Sequence, residues 1–117
     1  MLEDKAKDLG RTIGQSAEYQ AVKRANDALG ADREATTALR RMEELRHEAQ
    51  RMLDRNEQPT PAMEQELDEL LGKLQDNAVF QRATVADENF NKLMVRVNEW
   101  ISEGIQKGAA SPIITLG

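Results

Sequence analysis

The single histidine of the chain, His47, stands three residues after Glu44. On a helix that Glu-x-x-His spacing puts a carboxylate and an imidazole on one face, the arrangement that supplies ligands to helical di-iron centres. Such a centre uses the motif twice, and this sequence has no second histidine. The simpler expectation is a solvated His47 paired with Glu43 or Glu44. Glu64, Glu66, Asp68 and Glu69 crowd one segment. No nucleophile accompanies them, and acid–base work needs carboxylates with shifted pKa values in a cleft. They read as a solvated helix face. Gly10 and Gly14 are isolated glycines, not a phosphate-cradling loop after a strand. The absence of cysteine excludes disulfides, thiolate zinc sites, cysteine-ligated iron–sulfur clusters and thiol nucleophiles. No catalytic, cofactor-binding or metal-ligating residue is assigned, and the chain is expected not to be an enzyme.

Arginine offers a second kind of chemistry. Arg33, Arg40, Arg41, Arg46, Arg51 and Arg55 fall within one segment, with Arg40, His47, Arg51 and Arg55 near one helix face. That face suits RNA phosphates, and RNA binding is the alternative reading. Against it, Glu43, Glu44, Glu48 and Asp54 are interleaved, and spacings such as Arg40–Glu44 and Glu48–Arg51 suit ion pairs within the helix. No aromatic residue lies among the basic ones to stack on bases. The chain as a whole carries 16 basic and 21 acidic side chains, a net charge of −5. A general nucleic-acid binder, which draws its affinity from neutralising phosphates, has the opposite sign.

The elements that would position these residues are all helices. Leu2, Ala6, Leu9 and Ile13 form one stripe at helical spacing, fraying near Gly14. Ser16 is placed to cap a second helix bearing Tyr19, Val22, Ala25 and Leu29 and stopping at Gly30. Asp32 caps a third, whose stripe is Ala35, Leu39, Met42, Leu45, Ala49 and Met52, ending near Arg55. Pro59 is read as its stop, and Thr60–Pro61 as the cap and first residue of the fourth. That helix carries Met63, Leu67, Leu70, Leu71 and Leu74. The short connection predicts an antiparallel hairpin of the third and fourth helices. Asn77 then caps a long fifth helix, from Ala78 to about Lys107, expected to return beside that hairpin.

The fifth helix carries the strongest pattern. Val79, Ala83, Ala86, Phe90, Leu93, Val97, Trp100 and Gly104 step by four and three in alternation. Phe80, Met94, Ile101 and Ile105 widen the stripe, and Ala83 and Ala86 permit close helix approach. At ~1.5 Å per residue a thirty-residue helix measures roughly 45 Å, more than the two N-terminal helices can cover. The remainder is expected to meet a second copy of the chain or another protein. Phe80, Phe90, Met94, Val97, Trp100, Ile101 and Ile105 are the candidate contact residues, large apolar anchors of the kind that dominate interfaces. A homodimer or higher homo-oligomer is the expected state.

The 117 residues suit one all-α domain over residues 1–107. Residues 108–117 are expected to form a non-helical apolar tail with Ile113, Ile114 and Leu116 as its patch. No stretch approaches a membrane span, and Met1-Leu2-Glu3-Asp4-Lys5 lacks the basic start and apolar run of a signal peptide. A cytoplasmic location is expected.

Two runs of residues give the chain a family likeness. The first is Ala6-Lys7-Asp8-Leu9-Gly10-Arg11-Thr12-Ile13, then Ser16-Ala17-Glu18-Tyr19-Gln20, continuing through Leu29-Gly30-Ala31-Asp32-Arg33-Glu34-Ala35. The second is Leu74-Gln75-Asp76-Asn77-Ala78-Val79-Phe80, then Ala86-Asp87-Glu88-Asn89-Phe90-Asn91-Lys92-Leu93-Met94. In order and separation, across roughly residues 2–106, the chain resembles the YlbF/YmcA family of small helical bacterial proteins, which includes YheA-like members. Arg33 and Ala78 depart from it, standing where proline is common. The resemblance implies an all-α protein that self-associates and acts through protein partners. It further implies a regulatory role of the kind relatives play in competence, sporulation, biofilm formation and RNA decay. The iron–sulfur clusters associated with some relatives cannot be carried over through thiolates to a chain without cysteine.

Overall fold

The computed structural model describes the backbone of residues 1–116 and the side chains of residues 1–110. Five helices follow one another: α1 (Leu2–Gly14), α2 (Ala17–Ala31), α3 (Arg33–Asp54), α4 (Pro61–Asp76) and α5 (Ala78–Leu116). Four of them start on side-chain caps. Ser16 Oγ accepts from the Tyr19 amide at 3.1 Å, Asp32 Oδ2 from Ala35 at 2.9 Å, Thr60 Oγ1 from Met63 at 3.2 Å and Asn77 Oδ1 from Phe80 at 2.9 Å. Each satisfies one of the amides that a helix start leaves without a partner.

Two stop signals differ from the sequence reading. α3 ends through Asn56 rather than Pro59. Asn56 takes a left-handed φ of 62°, its amide donates to the Leu53 carbonyl and that of Glu57 to Met52. This is the paired closing bond of a Schellman turn, which asparagine tolerates better than most residues. α2 ends one residue past Gly30. There Asp32, in an extended conformation, is at once the last cap of α2 and the first cap of α3.

The packing corrects the expected return of the long helix. α3 and α4 do form an antiparallel hairpin, clasped by Arg41 and Glu66. α5, however, turns away at Asn77 and packs most extensively along α2. Glu18 lies near Arg96, the Tyr19 and Phe90 rings meet edge-on at 5.5 Å, and Asp32 touches Asn77. α2 and α5 therefore run antiparallel. Apolar spacing marks which face of a helix is buried but not which helix covers it. The molecule is two helix pairs joined end to end, 68 Å in its longest dimension.

The core sits at the joint. Ala35, Ala38 and Leu74 are buried there, with Leu29, Leu39, Met42, Leu70 and Phe80 against them. Ala83 and Ala86 are buried on α5, on the stripe that brings Phe90 to Tyr19 of α2, where small side chains let two backbones approach. A further correction concerns the C-terminus. The segment expected to leave the helix after Lys107 continues α5 as far as Leu116. Ala109 and Ala110, strong helix formers, carry the helix forward past Gly108. The side chains of Ile113, Ile114 and Leu116 lie outside the described residues.

Candidate protein-contact surface

The seven apolar residues singled out on α5 divide into two groups. Phe80 packs against the core at the joint, and Phe90 lies edge-on against Tyr19. Val97 is buried and Met94 half-buried. These four serve the chain's own packing. Trp100, Ile101 and Ile105 are exposed, Trp100 by 57%. The division follows the reach of α2, whose first turn lies near Phe90 and Arg96. From Asn98 to Ala110 every residue of α5 is exposed. This stretch, the α5 extension, keeps the apolar stripe of the helix but has lost the neighbour that buries it.

Sequence reasoning missed a second surface of the same character. α1 contains no buried residue, and every position from Leu2 to Thr12 is exposed. Its polar face holds itself together with ion pairs, Lys7 to Glu3 at 2.7 Å and Arg11 to Asp8. Its apolar face of Leu2, Ala6 and Leu9 has nothing of comparable character over it. The signal that reveals this is the stripe itself together with the position of α1, which precedes the end of α2 that stops short on α5. α1 and the α5 extension thus leave the α2–α5 pair at the same end.

The polar candidates assemble no reactive centre. His47 is exposed, with Nε2 at 3.3 Å from Glu43 Oε1. Glu43 is also held by Arg46 at 2.7 Å, which keeps its carboxyl below the ordinary range, with His47 adding to the effect. Glu44 goes to Arg41 instead of joining His47. Among the described residues no three His, Asp or Glu side chains converge as a metal cage would require. Arg41 reaches Glu66 with two bonds, from Nε at 2.6 Å and from an Nη at 2.9 Å. Those bonds hold the Glu66 carboxyl below its ordinary value and raise the guanidinium further. Arg46 and Arg55 are likewise paired with Glu43 and Glu57. The anticipated pairs Arg40–Glu44 and Glu48–Arg51 do not form, and Glu44 goes to Arg41. Half of the six arginines are thus neutralised by glutamates, and interleaved carboxylates break up the basic stripe.

Comparison with known proteins follows the same lines. The family model described as "Control of competence regulator ComK, YlbF/YmcA" matches residues 2–106. A "UPF0342 protein" of Leuconostoc citreum is 22% identical over 102 residues, 87% of this chain and 86% of the relative. One from Streptococcus gordonii is 25% identical over 103 residues, covering 88% and 92%. Another, from Oenococcus oeni, is 28% identical over 99 residues, covering 85% and 87%. Among solved structures, that of Bacillus subtilis RicA, crystallised in complex with RicF, superposes with a TM-score of 0.76 at 17% identity. It covers 92% of this chain and 96% of that one, a likeness of fold.

Proposed function

The chain belongs to the YlbF/YmcA family, and on that premise we propose that it is a non-enzymatic cytoplasmic adaptor working through protein contacts, self-association among them. Its contact surface is the outer part of α5, with Trp100, Ile101 and Ile105 as anchors and Met94, Phe90, Val97 and Phe80 as the packed base that holds the helix in place. The carrying observation is an apolar stripe that continues from buried Val97 onto the exposed α5 extension. A helix that keeps its apolar face beyond its intrachain neighbour has retained it for another molecule. The family's description names competence control, and RicA was crystallised with a protein partner. Both fit an adaptor that regulates by binding, in competence, sporulation, biofilm formation or RNA decay.

Sedimentation at micromolar concentration tests this reading, with circular dichroism reporting helicity in parallel. An oligomer that Trp100→Ala or Ile101→Ala weakens while helicity is retained supports it. A strict monomer that also binds no family partner would sink it. The RNA-binding alternative draws little support from a segment in which Arg41, Arg46 and Arg55 are engaged by glutamates and no aromatic residue stands among the basic ones. Absence of binding to single-stranded and structured RNA at low salt would remove it.

A further inference from the structure

We propose that α1 and the α5 extension are the two prongs of a fork that receives the fork of a second copy, α1 of each chain lying along the α5 extension of the other. The proposal rests on the self-association reading above and assigns it a geometry.

Surface area is the first argument. A compact monomer of this mass exposes ~6,400 Å². This chain exposes 9177 Å², an excess of about 2,800 Å² over that expectation. Its radius of gyration is 21.7 Å, against ~13 Å for a compact chain of this length. Covered on both copies, the excess would come to about 5,600 Å² in total, at the upper end of what obligate homodimers bury.

The second argument is where the unpartnered surface lies. Leu2 is 84% and Leu9 39% exposed on α1, and Ile101 is 43% and Ile105 65% exposed on the α5 extension. Both elements leave the α2–α5 pair at one end. α1 has 13 residues and buries none of them, and isolated helices of about that length are marginal in water. Its helicity calls for an apolar partner beyond the turn that joins it to α2.

The third argument is that the two prongs match. The α1 stripe steps 2, 6, 9, 13 and that of α5 steps 97, 101, 104, 108, both by four, three and four. This is the rhythm of helices packed side by side. With the two helices antiparallel, Ala6 falls beside Gly104 and Leu9 beside Ile101, and a Cβ built on Gly104 meets nothing within 4 Å, leaving room for a close approach. Because each copy offers both prongs, the contact is reciprocal and closes as a two-fold dimer without open ends. The groove between α3 and α4, lined by Met42, Leu45, Met63 and Leu67, is the competing surface, but nothing about it selects an occupant.

The chain has no cysteine, so introduced thiols report proximity cleanly. Ala6→Cys and Gly104→Cys are placed singly in two versions of the full chain carrying different tags. The two versions are mixed, equilibrated and oxidised, or treated with a short bis-maleimide. The expected product joins one chain of each kind and dominates over both same-variant products. Met63→Cys mixed with Gly104→Cys serves as the control and should stay unlinked. Circular dichroism checks that each variant folds, and Leu9→Cys with Ile101→Cys is a second pair should either fail. A species of dimer mass lacking the mixed cross-link overturns the fork but leaves self-association standing. Monomer mass throughout overturns both.

Discussion

Two residues decide how the chain turns. Asp32 and Asn77 are each a single extended residue between helices, and each caps the helix that follows. Asn77 Nδ2 also donates to Asp32 Oδ2 at 2.9 Å, so the two caps are tied to each other. Asn77→Ala removes a cap and a cross-link together, and is expected to cost about 1–2 kcal/mol in urea unfolding. Asp32→Ala should cost a similar amount. The double variant should lose clearly less than the two combined, because the residues share a bond. Glu66 supports a prediction in pH. Its folded pKa lies below the ordinary glutamate value of 4.5 because Arg41 binds the carboxylate. The stabilisation it contributes is therefore present above that value and lost as pH falls through the depressed folded pKa. Thermal midpoints measured from neutral pH down into the acid range should fall less steeply for Glu66→Gln than for the natural chain. The pair is partly exposed, so the difference should be modest and should shrink in salt. Much at this scale was legible beforehand. Ser16, Asp32, Thr60 and Asn77 were all readable as caps, since capping depends on local residue type. Asn56 was not, because a left-handed asparagine and a downstream proline announce the same helix end.

At the scale of elements, the joint is the place where substitution should matter most. Leu74 is 2% exposed, the largest fully buried side chain of the described residues. Leu74→Ala should cost about 2–5 kcal/mol by chemical denaturation, through lost burial and the cavity left behind. Along α2 and α5 the constraint is reversed. Ala83 is buried where the two helices approach, and Ala83→Leu should cost about 1–3 kcal/mol by forcing them apart. The same leucine placed at Gly104 should be tolerated within one chain, because open space surrounds it. Number, order and approximate bounds of the helices could be read from periodicity, except the C-terminal end of α5, which runs on past Lys107. The partner of α5 could not. A short loop between α3 and α4 makes them neighbours almost by necessity. The pairing of α2 with α5 joins segments far apart in sequence, and only the turn at Asn77 decides it. The split of the candidate contact residues was hidden for the same reason. Val97 and Trp100 belong to one stripe, and only the end of α2 separates them.

The whole molecule is long because it has two helix pairs and one small core between them. A second copy bound only to the folded chain adds stability by mass action. The thermal midpoint should therefore rise with protein concentration, and a midpoint independent of concentration would argue for a self-sufficient monomer. The end-to-end plan also governs the order of assembly. α3 and α4 occupy the uninterrupted stretch from Arg33 to Asp76, whereas α2 and α5 lie on either side of it. Closing α2 on α5 directly means closing a loop that contains the whole hairpin, and loop closure grows costlier with length. Once the hairpin has formed, Asp32 and Asn77 are already adjacent and most of that cost has been met. The hairpin is thus the expected folding nucleus and the α2–α5 pair the late event. In stopped-flow refolding, Leu45→Ala in α3 should slow folding, while Phe90→Ala should chiefly hasten unfolding. A chain emerging from the ribosome could then complete its first stable unit before Trp100 is exposed to solvent. The apolar face of the α5 extension would appear last.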